Sequence, residues 1–170
     1  MYFESDTTIL IGDTTCTGFV DPNWYIAQEG RVRELALCRY VSSALADMSK
    51  GDVPITRDAF VAIHREARLF EPIKCWLAFG SARQSSIKLV FEFRDIDHAL
   101  VASGGQTIAF ADSKHRLIRI PGLWRQFAEK FSMAPKLVER SPRDDVFSVP
   151  GYRSGDPAFS WAYRAVLMAA

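Results

Sequence analysis

The fold is decided by residues 11–20, IGDTTCTGFV, and by the dipeptide Asp21-Pro22 that follows them. Aspartate is a favoured N-cap, and proline suits the first helical position because its nitrogen carries no hydrogen that would need a partner there. No further proline occurs before Lys50-Gly51, a natural stop. The sequence therefore predicts a polar, glycine-containing loop that leads into a long helix, which runs to about Met48.

Gly30 lies well inside this predicted helix. Glycine costs a helix interior about 1 kcal/mol relative to alanine. We therefore expect Gly30 to serve close packing or to leave room for a ligand.

Segments on both sides of the helix have the period of β-strands, with apolar side chains at alternate positions. One strand is predicted before the helix, at residues 7–11, and Gly104-Gly105 in a later strand indicates a close approach of a backbone or a ligand. The elements predicted after the helix are strands at residues 60–70, 73–79, 86–94, 100–111 and 116–120, a hairpin turn at 80–85 and a helix at 121–131. The predicted fold class is α+β, with a long central helix wrapped by a curved antiparallel β-sheet.

The chain of 170 residues is predicted to form one domain, residues 1–131, and a C-terminal extension, residues 132–170. The extension is an arm with four prolines and an apolar end at residues 159–168. We expect this end to dock on the domain or on a second subunit, for example as a helix.

Composition and charge exclude several classes of protein. A net charge of +1 provides no long-range field for a nucleic acid, and 48% hydrophobic residues exclude disorder. Three cysteines without metal-type spacing are expected to be reduced thiols, and no apolar stretch has the length of a membrane span. We expect a soluble cytoplasmic protein without a metal, a membrane or a nucleic-acid partner. P-loop, dinucleotide and nucleophile-elbow motifs are also absent from the sequence.

Tyr25, Glu29 and Arg33 have the i, i+4, i+8 spacing of one helical stripe. A phenol, a carboxylate and a guanidinium on one stripe can orient a water and stabilise an oxyanion. Threonine hydroxyls of the preceding loop are expected to reach the same place. Backbone amides at the start of the helix, around Pro22 to Trp24, are expected to hydrogen-bond a substrate carbonyl as negative charge builds on it. The alternative is that Glu29 and Arg33 form an exposed ion pair, worth a few tenths of a kcal/mol.

The run from residue 11 to Glu34, with its G-D-x-x-x-x-G-x-V pattern, resembles the 4-hydroxybenzoyl-CoA thioesterase family of hotdog proteins. The likeness covers about residues 7–131. The family's second aspartate in G-D-x-D is its usual catalytic carboxylate, and Thr15 stands at that position. A threonine hydroxyl is too weak a base to replace it. The branch of thioesterases from enediyne polyketide pathways also lacks an acid there, and Tyr25 and Arg33 match its helix tyrosine and arginine.

This resemblance implies a hotdog fold and hydrolysis of an acyl or polyketide thioester. The acyl chain would be carried by acyl-carrier protein or coenzyme A, so that phosphopantetheine is the substrate carrier and no other cofactor is needed. A homodimer or homotetramer is also implied. The expected catalytic residues are Thr15, Tyr25, Arg33 and Glu29, and the expected substrate-binding residues are Asp13, Gly18, Val20, Asn23, Trp24 and Phe79.

Two other functions stay open at this point. Without the family's aspartate, the chain could be a hotdog dehydratase, isomerase or cyclase that acts on a carrier-bound polyketide, or a non-catalytic subunit. His64, His98 and His115 lie in no motif and are expected to be structural or exposed. Scattered cations could hold phosphates or be solvated, and aromatic side chains could line an acyl tunnel or form ordinary core. The cations are Lys74, Arg83, Lys88 and Lys114, and the aromatic residues are Trp24, Trp76, Phe79, Phe91 and Phe93.

Overall fold

The computed structural model describes residues 2–16, 18–40, 53–131 and 167–169. The helices are α1, Pro22–Tyr40, and α2, Gly122–Phe131, and a single 3-10 turn spans Ile11–Asp13. The strands are β1 (Phe3–Thr8), β2 (Val53–Ile63), β3 (Pro72–Ala82), β4 (Ser86–Arg94), β5 (Leu100–Ala111) and β6 (Leu167–Ala169).

The strands form one sheet in the order β1-β3-β4-β5-β2-β6. The pairs among β1 to β5 are antiparallel, whereas β6 runs parallel to the end of β2, at Val61 to Ile63. Because β2 pairs with β5, the first strand after α1 is placed beside the last strand of the antiparallel set. This pairing brings β2 and β5 together near α1.

Helix α1 packs on the sheet and contacts β1, β2, β3 and β5. Leu77 and Phe91, in the middle of β3 and β4, are almost fully buried and belong to the core. Helix α2 extends the core beyond the end of α1, where Tyr40 contacts Phe127 and Phe131 of α2 at ring-centroid distances of 6.3 and 5.1 Å. The buried side of α1 consists of Trp24, Tyr25, Ile26, Glu29, Val32, Ala36 and Leu37.

The antiparallel sheet packed against a helix is as the sequence predicts, and α1 begins at Pro22. The long central helix is not confirmed, since the described helices have 19 and 10 residues and residues 41–48 lie outside the described ranges. No helix in the described residues is long and apolar enough to cross a bilayer.

Several predicted boundaries are wrong. The strand predicted at residues 7–11 lies earlier, as β1, and the turn predicted at residues 80–85 is shorter because β3 continues to Ala82. Residues 116–120 form no strand beyond one bridge between Ala111 and Leu117. The chain turns at Asp112, whose Oδ1 accepts from the backbone amides of Lys114 and Arg116. It then leaves β5, because the amide of Ile120 donates to the carbonyl of Gln84 instead.

The C-terminal extension is described only at residues 167–169, and those residues form the strand β6 rather than a helix. The rest of the predicted arm lies outside the described residues. The division between residues 1–131 and 132–170 therefore stays a prediction.

Candidate active site

A pocket of about 470 Å³ opens where α1 lies over β2 and β5. Gly30 lines it, and a Cβ atom built at Gly30 would meet nothing within 4 Å. Of the two roles expected for this glycine, the structure favours room in the pocket over close packing. The polar side chains that line the pocket are Asn23, Arg31, Arg33, Glu34, Thr56 and Gln106.

Arg33 joins the helix to both strands at the wall of this pocket. Its Nη1 donates to Thr56 Oγ1 on β2 at 2.9 Å and to Gln106 Oε1 on β5 at 2.8 Å. Its Nη2 lies 3.7 Å from the carboxylate of Glu34, and 18% of the Arg33 side chain is exposed. The pocket thus holds a fixed, partly accessible cation, which is suited to an oxygen that carries or develops negative charge.

Thr56 reaches Arg33 at an irregular point of β2. The register of the β2–β5 pair shifts between Thr56 and Asp58. Such a bulge bends a strand locally and changes the direction of its side chains. The irregularity lies at the residue that accepts from Arg33, so it belongs to the construction of the pocket.

Glu29 is completely buried, so the exposed Glu29–Arg33 ion pair considered from the sequence is wrong. Neither of its carboxyl oxygens has a hydrogen-bond partner. Burial raises the pKa of Glu29 well above its usual value, while Gln106 and Arg33 oppose the shift. Gln106 therefore lies near the carboxyl without meeting hydrogen-bond geometry. Glu29 is not part of the pocket lining.

Tyr25 is also buried, but its side chain lies among different groups from those around Glu29. Its ring contacts those of Trp24 and Phe93 edge-on, at centroid distances of 5.0 and 5.1 Å, and its hydroxyl has no hydrogen-bond partner. Burial, followed by the charge of Glu71, raises the pKa of Tyr25 to about 12, and Arg65 opposes the shift. The stripe predicted on α1 is therefore divided, because Arg33 lines the pocket while Tyr25 faces the connection between β2 and β3.

The loop before α1 uses its polar groups to hold its own shape. Asp13 Oδ2 accepts from the backbone amide of Leu10 at 2.8 Å, and Thr15 Oγ1 donates to the carbonyl of Phe19 at 3.2 Å. Gly18 has a φ of 82°, which favours glycine. Neither these residues nor Val20, which is buried in the core, line the pocket, so their expected roles remain predictions.

The backbone amides at the start of α1 are engaged as well. Asp21 accepts from the amide of Asn23 through Oδ1, at 2.8 Å, and from the amide of Trp24 through its carbonyl, at 2.9 Å. The expectation that these amides polarise a substrate carbonyl is therefore not supported. The side chain of Asn23 does line the pocket, whereas Trp24 is core.

Phe79 lies away from the pocket. Its ring contacts Phe127 of α2 edge-on, at a centroid distance of 4.9 Å, and it is part of the hydrophobic core. The side chains of Phe91 and Phe93 are fully buried core as well. Among the histidines, His64 shares a hydrogen bond of 2.8 Å with Ser103 and is exposed, and His98 and His115 lie in turns at positive φ.

Sequence reasoning missed four polar groups of the pocket, Arg31, Thr56, Gln106 and Glu34. Glu34 had a signal, because it directly follows Arg33 in the sequence. Gln106 also had a signal, because it lies two residues after Gly104 and therefore on the same face of the predicted strand. Thr56 had none, because a bulge is not visible in the strand pattern.

No protein-family model matches the chain, and no curated protein matches it. Among solved structures, the chain is similar to the dynemicin thioesterase, with 17% identity and a TM-score of 0.73 over 79% of this chain and 100% of that one. A 1,4-dihydroxy-2-naphthoyl-CoA thioesterase from Synechocystis gives 13% identity and a TM-score of 0.70 over 79% and 100% of the two chains. The probable thioesterase YbaW from Escherichia coli gives 13% and 0.68 over 76% and 98%. These likenesses confirm the hotdog fold, with an antiparallel sheet packed against a helix.

Proposed function

We propose that this chain hydrolyses acyl thioesters that are carried on a phosphopantetheine arm, as in coenzyme A or acyl-carrier protein. The fold that it shares with solved thioesterases supports this reaction class. The observation that carries the proposal is Arg33, a cation fixed by Thr56 and Gln106 at the wall of an open pocket.

Attack of water on a thioester places a negative charge on the carbonyl oxygen. Arg33 donates to this oxygen, and the charge-assisted hydrogen bond strengthens as the charge develops. Because Thr56 and Gln106 already hold the guanidinium, little reorganisation is needed during the reaction. The oxyanion then collapses with loss of the pantetheine thiolate, which takes a proton, and leaves the free acid.

Glu34 is the carboxylate that lines the pocket, and 71% of its side chain is exposed. We assign it the role of general base, which takes a proton from the attacking water and then returns it to the departing pantetheine thiolate. Glu29, the other carboxylate among the expected catalytic residues, is buried and does not line the pocket. Thr15 and Tyr25 do not line the pocket and have no step in this mechanism.

The test is thiol release from acyl-pantetheine and acyl-coenzyme A thioesters. Arg33→Ala should lower kcat/KM at least tenfold, and as much as about 10²–10³-fold for a lost oxyanion donor. Arg39→Ala is the matched control, because Arg39 lies at the end of the same helix, over the Tyr40 ring and outside the pocket lining. Equal rates for the wild type and Arg33→Ala would contradict the proposal.

One observation favours a second candidate, in which the carrier-bound chain is dehydrated, isomerised or cyclised without hydrolysis. The position of the usual catalytic aspartate is Thr15, and its hydroxyl is engaged with the Phe19 carbonyl. In that case the product would stay attached to the carrier. We further propose that the substrate belongs to a biosynthetic pathway, such as polyketide synthesis, and that the chain works as a homodimer or homotetramer.

A further inference from the structure

Glu29 is the unexplained group next to the pocket. The buried polar side chains of the described residues are Glu29, Glu92 and Gln106. Glu92 pairs with Arg94, at 2.7 Å, and Gln106 accepts from Arg33. Glu29 has no such partner, and a buried polar group without one is costly to the fold. Its retention at this place therefore calls for a reason other than stability.

The sheet leaves a space for the Glu29 carboxyl. A Cβ atom at Gly104 would lie 1.9 Å from Glu29 Oε1, so the carboxyl occupies the volume that a side chain at Gly104 would fill. Gly104 and Gln106 are two residues apart on β5 and face the same side of the sheet. The carboxyl and the Gln106 amide are thus neighbours on the surface that α1 covers.

The chemistry of arginine fixes the orientation of the Gln106 amide. A guanidinium only donates hydrogen bonds, so the Gln106 oxygen faces Arg33. The amide nitrogen, which only donates, must then point elsewhere. The acceptor on the same face of the sheet is the Glu29 carboxyl, whose Oε1 fills the space over Gly104. Gln106 accordingly lowers the pKa of Glu29, as a nearby donor does. The Gln106 amide therefore lies between an acceptor, the Glu29 carboxyl, and a donor, the Arg33 guanidinium.

We propose that Glu29 is a positioning residue, which acts through the Gln106 amide to hold the Arg33 guanidinium in its orientation at the pocket wall. This inference rests on the proposed hydrolysis for its kinetic consequences. The charged or titratable groups around the carboxyl are Arg33 on α1 and the buried Cys75 thiol on β3, while Gln106 on β5 is neutral. Glu29 itself does not meet the substrate.

The kinetic test compares Glu29→Met, which keeps the length and removes the acceptor, with Glu29→Gln, which keeps an acceptor oxygen. Glu29→Met should lower kcat at least tenfold with little change in KM, and Glu29→Gln should restore most of the loss. In an Arg33→Ala background, Glu29→Met should cause no further loss, because Glu29 acts on the reaction only through the Arg33 guanidinium. Losses that multiply, or an unchanged kcat in Glu29→Met, would overturn the proposal.

Glu92→Met is the matched control, since Glu92 is also a buried glutamate but is paired with Arg94 and lies outside the pocket lining. It should change the melting temperature without a selective loss of kcat. If Glu29→Met acts only by weakening the fold, the two variants would behave alike, and the positioning role would be wrong.

A second measurement separates this inference from the proposed function. The ¹⁵N resonances of the Arg33 side chain, assigned by their loss in Arg33→Lys, report its environment whether or not the chain hydrolyses a thioester. They should shift or broaden in Glu29→Met and stay near their positions in Glu29→Gln and Glu92→Met. Unmoved resonances in Glu29→Met would overturn the positioning role even in an active thioesterase.

Discussion

Replacing Glu29 with glutamine should change how the stability of the protein depends on pH. Burial raises the pKa of Glu29 well above its ordinary value of 4.5, so the folded chain keeps the proton at pH values where the unfolded chain has released it. The unfolded state then binds fewer protons, and the free energy of unfolding falls as pH rises. The loss begins just above pH 4.5 and stops at the raised pKa.

The slope inside this window is one proton, or about 1.4 kcal/mol per pH unit. A span of two pH units within the window therefore amounts to about 2.7 kcal/mol, which corresponds to about 5–10 °C in Tm for a chain of this size. Glutamine at position 29 does not titrate, so the variant lacks this loss. The carboxyls of Glu71, Asp95 and Asp112, whose pKa values are lowered, are present in both proteins, so their effects cancel in the difference.

The assay is urea unfolding of the wild type and Glu29→Gln at half-unit intervals from pH 5 to pH 8, at constant ionic strength. The difference in unfolding free energy should grow in favour of the variant as pH rises. Below pH 4.5 the two curves should run parallel. A difference that stays constant from pH 5 to pH 8 would show that the Glu29 carboxyl titrates as it does in the unfolded chain, and would refute the reasoning.

Three further outcomes follow from the same contacts. Gly104→Ala should destabilise the protein by about 1–3 kcal/mol or more in urea unfolding, because its Cβ would lie 1.9 Å from Glu29 Oε1 and 2.7 Å from a backbone oxygen. Gly12→Ala is its control, as a Cβ there meets nothing within 4 Å, and equal losses would be contrary to expectation. Tyr25→Phe removes a buried hydroxyl without a partner and should leave Tm unchanged or higher; a clear drop would reveal a hidden partner. Glu34→Gln should lower kcat at least a hundredfold if Glu34 is the general base, and a near-normal rate would assign the base elsewhere.

The local parts of the fold could be predicted from the sequence. Asp21-Pro22 predicts the start of α1 because capping depends on adjacent residues. The alternation around Phe91 predicts β4 for the same reason, since the period of a strand is a short-range property. Residues 116–120 also have an apolar pattern that resembles a strand, but the amide of Ile120 donates to the carbonyl of Gln84, which is distant in the sequence.

The division of the α1 stripe follows from helix geometry. At 3.6 residues per turn, each step of four residues rotates by about 40° around the axis, so Tyr25 and Arg33 point about 80° apart. Over two such steps, Tyr25 and Arg33 therefore come to lie on different faces of the helix. Spacing placed Glu29 between the other two residues correctly, but it could not show that this middle position is the completely buried one.

The partners of Arg33 could not be predicted, because they are distant in the chain. Thr56 is 23 residues away and Gln106 is 73 residues away. Their approach depends on the pairing of β2 with β5 and on the bulge after Thr56. A single sequence contains the residue types of this site but not the sheet order that assembles them.

Mass spectrometry of an acyl-carrier protein loaded with a medium-chain acyl thioester, before and after incubation with the chain, tests the central claim most directly. We expect the free acid and the deacylated carrier to appear together with the wild type, and much more slowly with Arg33→Ala than with Arg39→Ala. A carrier that keeps its acyl mass, or keeps the chain in a dehydrated or cyclised form, would contradict hydrolysis in this pocket.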